Sequence, residues 1–374
     1  MRCWIELSRK ALIENYRIFE RVSSPSELMP VIKSNAYGHG LKEVYAALCS
    51  VVAPTWLGVN YVEEAEELRS FGYQGSILVV GPVPQSLYEQ AARARADIFI
   101  GDLFSLETWL QLPLKPKIHI KIDTGMSRQG FEPEMLPKIL ETLKPFKSDI
   151  VGLASHFANV EDVVELSYAH KQLERFEQGR KALDTAGLHI KTHIASSAST
   201  LLLEQAHFNI TRVGISMFGL WPSQATRLSY LQTHDKLENL KPVLSWLTEV
   251  ALTKTVREGD CIGYGCTYKA MKDMTIAVLP VGYYEGYPRI ASGRGSYVLI
   301  KGKRCPIVGR ICMNMMMVDI SHLSKVQTGD RVTLIGSDGS ETIDAETLGA
   351  WAETIHYEVL TCLNPRIPRK VLDD

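Results

Sequence analysis

The sequence predicts an α/β protein: an N-terminal (β/α)8 barrel of the TIM type followed by a mostly antiparallel β domain. Three observations carry this expectation. Short apolar segments alternate with helical ones through the first part of the chain, and polar residues with reactive side chains recur where the apolar segments end. Near residues 233–242 the rhythm changes to short alternating strands separated by Gly/Asp turns. At 374 residues the chain is too long for one ordinary core, so two domains are expected, 9–235 and 236–374. An open doubly wound sheet is the alternative for the first half. The barrel is preferred because no GxGxxG follows the first strand and because so many strand ends are polar.

Taken in order, WIEL (4–7) alternates like a strand, and SRKALIENYRIFERV then shows apolar residues at helical spacing with Ser8 placed to cap it. The barrel strands are read as LMPVIK (28–33), TWLGV (55–59), SILVVG (76–81), DIFIG (97–101), KIHIKID (117–123), IVGLASHF (150–157), IKTHIASS (190–197) and ITRVGISMFGL (210–220). Between them lie helices such as LKEVYAALC, EEAEELRSFG closing at Gly72, and residues 165–187 closing at Gly187. After 242 come VLSWLTEVALTKTV, MTIAVLPVG, GSYVLIKG, KRCPIVGRICMNMMMVDI and GDRVTLIG, with one helix, DAETLGAWAETI. Two prolines make the final NPRIPR extended.

Composition excludes several function classes. A net charge of −1 argues against a nucleic-acid surface or a polybasic membrane contact. No apolar run is long enough to span a bilayer, and the N-terminus lacks the apolar core of a signal peptide. The seven cysteines are scattered without a CxxC pair, which reads as reduced thiols in a cytoplasm. No metal-ligand spacing occurs, so no metal is expected; His39, His156 and His193 read as hydrogen-bonding partners.

The stretch PVIKSNAYGHG (30–40) organises the chemistry. It puts Lys33 at the carboxyl end of an apolar strand, on the face where parallel α/β proteins hold their catalytic groups. A lysine desolvated there loses its proton and becomes an amine nucleophile able to form a Schiff base. The competing reading is a lysine that ends a strand in solvent. Other strand ends supply Tyr37, then Lys121, Asp123 and Arg128, then His156, then Ser196 and Ser197, and finally Arg212 with Gly214 and Ile215. Small hydroxyls and backbone N–H groups near the last strands suit a phosphate. A lysine on one wall and a phosphate cup on the other suit pyridoxal 5′-phosphate, which carries both an aldehyde and a phosphate.

PVIKSNAYGHG, KIDTGMSRQGF and GRICMNMMMVDI, with IGYGCTY, VGYYEGYP and NPRIPR, resemble the motif set of the alanine racemase family, in order and along the whole chain. The resemblance implies a pyridoxal-phosphate enzyme acting on alanine, a head-to-tail homodimer, and an N-terminal strand (1–8) that pairs with the C-terminal domain. It implies that Lys33 holds the cofactor and is one acid/base group. Tyr264 of the partner subunit is the other, since returning a proton from the opposite face takes a second base. A tyrosine is a poor base at its ordinary value of about 10, and the family sets His156 and Arg212 behind it. Arg212 matches the residue facing the pyridine nitrogen, where a guanidinium keeps its proton and leaves the ring a weaker electron sink. Arg128 matches the substrate-carboxylate ligand, Met313 a backbone N–H that meets the same carboxylate from the partner subunit, and Lys121 a lysine carbamylated in many members. Tyr37, Ser197, Gly214, Ile215 and Tyr357 match the phosphate ligands, and Tyr283 lies in a dimer-side segment.

Three departures stand out against the family pattern. Asn314 replaces the usual Asp, Tyr284-Glu285 replaces Ala-Asp, and Ser196 replaces Asn. They leave open a racemase for serine or a wider set of amino acids. A non-catalytic cofactor carrier is the remaining alternative; Tyr264 and its domain argue against it.

Overall fold

The computed structural model describes residues 2–161, 166–233 and 239–373. The chain divides into two compact units. One comprises Met1–Arg9, Asn35–Glu43 and Val243–Asp374, the other Lys10–Ser34 and Val44–Pro242. The first strand, β1 (Cys3–Ser8), belongs to the smaller unit.

The larger unit contains eight parallel strands among the described residues. They are β2 (Glu27–Pro30), β3 (Trp56–Val59), β4 (Ser76–Val79), β5 (Ala96–Ile100), β6 (Ile118–Lys121), β7 (Ile150–Ala154), β8 (Lys191–His193) and β9 (Ile210–Val213). β3 to β8 pair in chain order, and β2 pairs with β9. Two seams close the ring. Ile32 N–H donates to Gly58 O at 2.8 Å beside a Val31–Gly58 bridge, and Asn209 N–H donates to Thr192 O at 3.0 Å. Chain order around the ring, with helices between strands, is the (β/α)8 arrangement.

The helices face the ring with their apolar stripes. Leu136–Leu143 buries Leu136, Ile139, Leu140 and Leu143, which recur at helical spacing. Period two along the strands sorts side chains inward and outward. In β6 all four residues are buried; Ile118 and Ile120 alternate with His119 and Lys121, so the two polar side chains share one face. Beside them the interior holds Met29, Trp56, Leu78, Phe99, Ala154 and Ile210.

The smaller unit is built on a long, mostly antiparallel sheet. Its strands are β10 (Leu244–Glu249), β11 (Leu252–Val256), β12 (Cys261–Ile262), β13 (Tyr268–Lys269), β14 (Met274–Leu279), β15 (Tyr297–Ile300), β16 (Lys303–Val308), β17 (Met316–Asp319), β18 (Arg331–Asp338), β19 (Glu341–Ile343) and β20 (Arg369–Leu372). The main sheet runs β11-β14-β17-β16-β15-β18-β10-β1-β20, and β12 with β13 forms a separate hairpin. β1 lies antiparallel to β10 and parallel to β20, with Cys3 opposite Thr248 and Ile5 opposite Arg369.

Several predicted strands are shorter than their apolar runs. LMPVIK ends as a strand at Pro30, IKTHIASS at His193 and ITRVGISMFGL at Val213. In each case the chain turns locally. Lys33 opens a tight turn, Ser196 caps a helix, and Ile215–Phe218 forms a 3-10 turn. In NPRIPR the residues 364–368 form a turn, with Ile367 N–H donating to Asn364 O at 3.1 Å, and only Arg369 is extended, as the first residue of β20. The start of the predicted helix at Glu165, and positions 234–238 at the change of rhythm, lie outside the described residues. No helix among the described residues is long and apolar enough to cross a membrane, and none of them form a cluster of three metal-ligating side chains.

Candidate active site

Four cationic side chains converge in the larger unit: Lys33, Lys121, Arg128 and Arg212. Burial lowers the pKa of the Lys33 amine, the positive charge of Arg128 lowers it further, and Glu64 opposes the shift. Lys121 is 6% exposed, and its amine lies 4.9 Å from the Phe99 ring centroid. Burial, then Arg212 and Arg128, holds its pKa well below the ordinary value. Both lysines are therefore shifted toward the neutral amine, the nucleophilic and basic form.

Asp123 does not neutralise this cluster by ion pairing. Its carboxylate accepts from the backbone N–H groups of Gly125, Met126, Ser127 and Arg128 at 2.8–3.2 Å. Burial alone would raise its pKa; these four bonds overcome that and lower it. The same bonds shape the loop that presents Arg128, which is exposed.

Arg212, in β9, is held from several sides. Nη1 lies 2.6 Å from His193 Nδ1, and Nη2 donates to Ser155 O at 2.8 Å and Ile194 O at 3.1 Å. Nη2 also lies 3.1 Å from His156 Nδ1. A guanidinium only donates, so both imidazoles accept through Nδ1 and carry their proton on Nε2. Burial, then Arg128, pulls the Arg212 pKa down to about 9. His156 and His193 are held well below their ordinary values, burial first and Arg212 next.

A cup of small residues lies at the ends of β8 and β9. Ser196 N-caps the helix Ser197–Leu202 in a capping box with Ser199, its N–H donating to Ser199 Oγ at 2.7 Å. The Ser196 departure is thus used locally as a cap. Ser197 Oγ accepts from Gly214 N–H at 3.0 Å, tying that helix to the turn at Ile215–Phe218. In the same turn Ser216 Oγ is buried without a hydrogen-bond partner.

The smaller unit carries the other predicted site residues. Ser34, Asn35, Ala36 and Tyr37 have φ of 52–56°, a left-handed turn directly after Lys33. L-residues rarely string together in that region, at about 1–2 kcal/mol each, and such strain clusters at functional sites. From Asn35 onward the turn is clamped within the smaller unit. Leu41 N–H donates to Asn35 Oδ1 at 2.8 Å, and Arg369 donates to Gly38 O at 2.8 Å. A Cβ on Gly38 would lie 1.9 Å from Leu360 O, so that position admits glycine alone. The Tyr37 and Tyr357 rings lie 6.3 Å apart.

Tyr264 is 69% exposed, in a short turn between β12 and β13. Met313 and Tyr283 are exposed as well, and Met313 O accepts from Tyr284 N–H at 2.9 Å. Two of the departures meet here: Asn314 Nδ2 donates to Glu285 Oε1 at 2.8 Å. Within the larger unit, then, Lys33, Lys121, Arg128, His156 and Arg212 interact with one another. Within the smaller unit Tyr37 meets Tyr357.

Comparison with known proteins matches residues 7–222 to the N-terminal domain of alanine racemases and residues 243–371 to their C-terminal domain. An alanine racemase of Leptospira interrogans is 39% identical over 99% of this chain and 96% of its own length. The chain belongs to the alanine racemase family. A Symbiobacterium thermophilum alanine racemase is 37% identical over 98% of this chain and 96% of its own length. Solved structures agree along the whole chain. The Streptomyces lavendulae enzyme superposes with a TM-score of 0.90 at 30% identity, covering 100% of this chain and 98% of that one. The Bacillus anthracis enzyme with bound L-Ala-P gives 0.90 at 33% identity, covering 100% and 95%. The family is one of isomerases.

Beside these motif residues the geometry adds two that the strand-end reading passed over. His119 Nδ1 lies 2.8 Å from His193 Nε2, and His119 Nε2 lies 3.5 Å from Asp97 Oδ2. A signal existed: His119 is two residues before Lys121 on one strand, hence on the same face.

Proposed function

We propose that the protein interconverts L- and D-alanine with pyridoxal 5′-phosphate, as a homodimer in the cytoplasm, supplying D-alanine for peptidoglycan. The observation that carries this is the group of four cationic side chains, Lys33, Lys121, Arg128 and Arg212, which lower the pKa of both lysines beyond the effect of burial. Such a site calls for a ligand bearing several negative charges, and phosphate, phenolate and carboxylate oxygens fit it. The buried, unpartnered Ser216 hydroxyl and the Ser197–Gly214 cup fit a phosphate in the same way.

Lys33 would hold the cofactor. Ser197, Gly214 and Ile215, with Tyr37 and Tyr357, would hold its phosphate, and Arg212 its ring nitrogen. When bound, the cofactor supplies an electron sink that makes the α-proton of an amino acid labile. Lys33, with its lowered pKa, accepts and returns that proton on the D side. Tyr264 of the partner subunit serves the L side, and His156, with its proton on Nε2, is a donor suited to a tyrosinate. Arg212 keeps its proton, which restrains electron withdrawal and favours proton return over other outcomes. Arg128 and, from the partner subunit, the N–H of Met313 would bind the substrate carboxylate. Lys121 is an amine poised to become a carbamate: Nζ bonds to the carbon of CO₂, a proton leaves, and the anion faces Arg128.

Chiral analysis of L-alanine incubated in D₂O with the cofactor-loaded protein tests the reading. Deuterated D-alanine is the expected product. No D-alanine, despite cofactor fixed to Lys33 by borohydride, would reject it and leave another amino acid or a carrier role. The Asn314–Glu285 pair favours one second reading, a preference for serine. The ratio of kcat/KM for alanine and serine decides it, and shape alone excludes an added hydroxyl by only about 10²-fold.

A further inference from the structure

A buried polar line behind Arg212 crosses the inside of the barrel. Asp97 (β5), His119 (β6), His193 (β8) and Arg212 (β9) form a line across its interior. The contacts are 3.5 Å from Asp97 Oδ2 to His119 Nε2, 2.8 Å from His119 Nδ1 to His193 Nε2, and 2.6 Å from His193 Nδ1 to Arg212 Nη1. Donor inventory fixes every proton. Arg212 only donates, so His193 accepts on Nδ1 and carries its proton on Nε2. That proton goes to His119 Nδ1, so His119 carries its own on Nε2, facing Asp97. Both imidazoles are neutral: a proton on His193 Nδ1 would face a guanidinium N–H at 2.6 Å.

The surroundings are shaped for this line. His119 is fully buried, and its Nε2 has no hydrogen-bond partner; the Asp97 carboxylate is its closest ionic neighbour. The Trp56 and Phe99 rings meet the His119 ring edge-on at 5.6 and 6.2 Å, and Phe99 stacks on His193 at 6.3 Å. A Cβ on Gly152 of β7 would lie 2.3 Å from His119 Nδ1, although that glycine has no left-handed backbone to demand it. The position is small because the imidazole occupies the space. Asp97 itself opens on a groove of about 410 Å³ lined also by Arg69, Arg95, Lys115 and Lys117.

We propose that Asp97 and His119 are positioning residues: acting through His193, they lock its tautomer and so fix the orientation of the Arg212 guanidinium. The inference rests on the proposed role of Arg212 toward the cofactor ring. Without His119, the His193 Nε2–H is buried with no acceptor, and the ring gains by turning away from Arg212.

The test combines ¹⁵N-histidine NMR of the pyridoxal-phosphate-loaded protein with the visible absorption of the bound cofactor. In the native protein both His119 and His193 should be neutral Nε2–H tautomers; an imidazolium or an Nδ1–H tautomer at either overturns the proposal. His119→Phe keeps the aromatic packing and should change the His193 resonances, alter the cofactor band and lower kcat on the order of tenfold with KM nearly unchanged. His119→Asn places an amide oxygen near the Nδ1 position and should restore most of the His193 signature. Asp97→Asn keeps the shape, removes the charge and guards against a folding defect in the phenylalanine variant; it should shift the His119 resonances. Unchanged His193 resonances and cofactor band in His119→Phe would overturn the proposal. Native tautomers as stated in a protein that does not racemise alanine would instead count against the function and leave the lock standing.

Discussion

The interiors of the two units are made of different material. The barrel encloses Lys121, Arg212, His119 and His193 next to Phe99 and Met29, whereas the main sheet of the smaller unit buries Ile5, Trp246, Leu247, Val298, Leu299 and Val318. The exposure of reactive groups is reversed. Lys121 and Arg212 are buried, while Tyr264 and Met313 stand in solvent. Buried like charges do not stabilise a fold, because desolvation exceeds what their neighbours return. Their presence in one unit is what the proposed anionic cofactor would offset. Tyr264 and Met313, exposed on the other unit, are the residues that the proposed homodimer would place against a partner subunit's barrel.

The comparison breaks most sharply at Lys33. Lys33→Ala should lower racemisation by about 10³-fold or more, the range of a lost acid/base group. The cofactor-free fold should be as stable as before, since a partly desolvated cation is removed. Chiral product analysis and a thermal melt read the two effects. A loss under tenfold would mean that the barrel cluster is not the reacting site.

Tyr264→Phe tests the exposed side of the contrast. Stability should change by less than about 0.5 kcal/mol, as for other surface changes. Exchange of the α-proton should fall by about 10²-fold from L-alanine and much less from D-alanine, because the proposed mechanism leaves that face to Lys33. Equal, small losses in both directions would take Tyr264 out of the mechanism.

Lys121→Met addresses buried charge directly. The folded pKa of Lys121 lies below its unfolded value of about 10.4. Between the two, the unfolded chain binds a proton that the folded chain refuses, so stability rises with pH at up to about 1.4 kcal/mol per unit. Above the unfolded value the penalty is gone. The cofactor- and bicarbonate-free variant should therefore be more stable at pH 7 by about 1–3 kcal/mol, with the advantage shrinking as pH approaches 10.4. Urea melts at pH 7 and 9.5 measure it. A pH-independent difference would show that burial does not control this amine.

The barrel was legible because its strands are apolar runs separated by amphipathic helices, and each strand expectation overlaps an observed strand. Strand ends were less legible, since a run such as ITRVGISMFGL stays apolar through the turn at Gly214. The left-handed turn at Ser34–Tyr37 could not be read: Asn35 tolerates that backbone, but Ala36 and Tyr37 carry no signal for it. The clamp comes from Arg369 and Leu360, more than 300 residues away in sequence. The Asp97–His119–His193 line was partly readable through the spacing of His119 and Lys121, but it requires three strands to be placed in register. The departures at Glu285 and Asn314 looked independent in sequence and are joined by one hydrogen bond.

That bond gives the smallest expected effect. Glu285 is 5% exposed, and its Oε2 accepts from Gly282 N–H at 2.8 Å while Oε1 takes the Asn314 amide. Asn314→Asp would set a second carboxylate against the first, removing the donor and adding repulsion. Asn314 is itself exposed, so the cost should sit near the low end of the range for a lost partner of a charged group, about 1 kcal/mol. Two touching carboxyls raise the pKa of one of them. The variant should therefore recover stability relative to the parent as pH falls from 8 to 5, the same direction in which the advantage of Lys121→Met grows. Thermal melts across that interval check it, and a parallel ratio of kcat/KM for alanine and serine shows whether the pair also shapes substrate choice. If Asn314→Asp melts like the parent at every pH, the two side chains are not coupled, and the departures carry separate explanations.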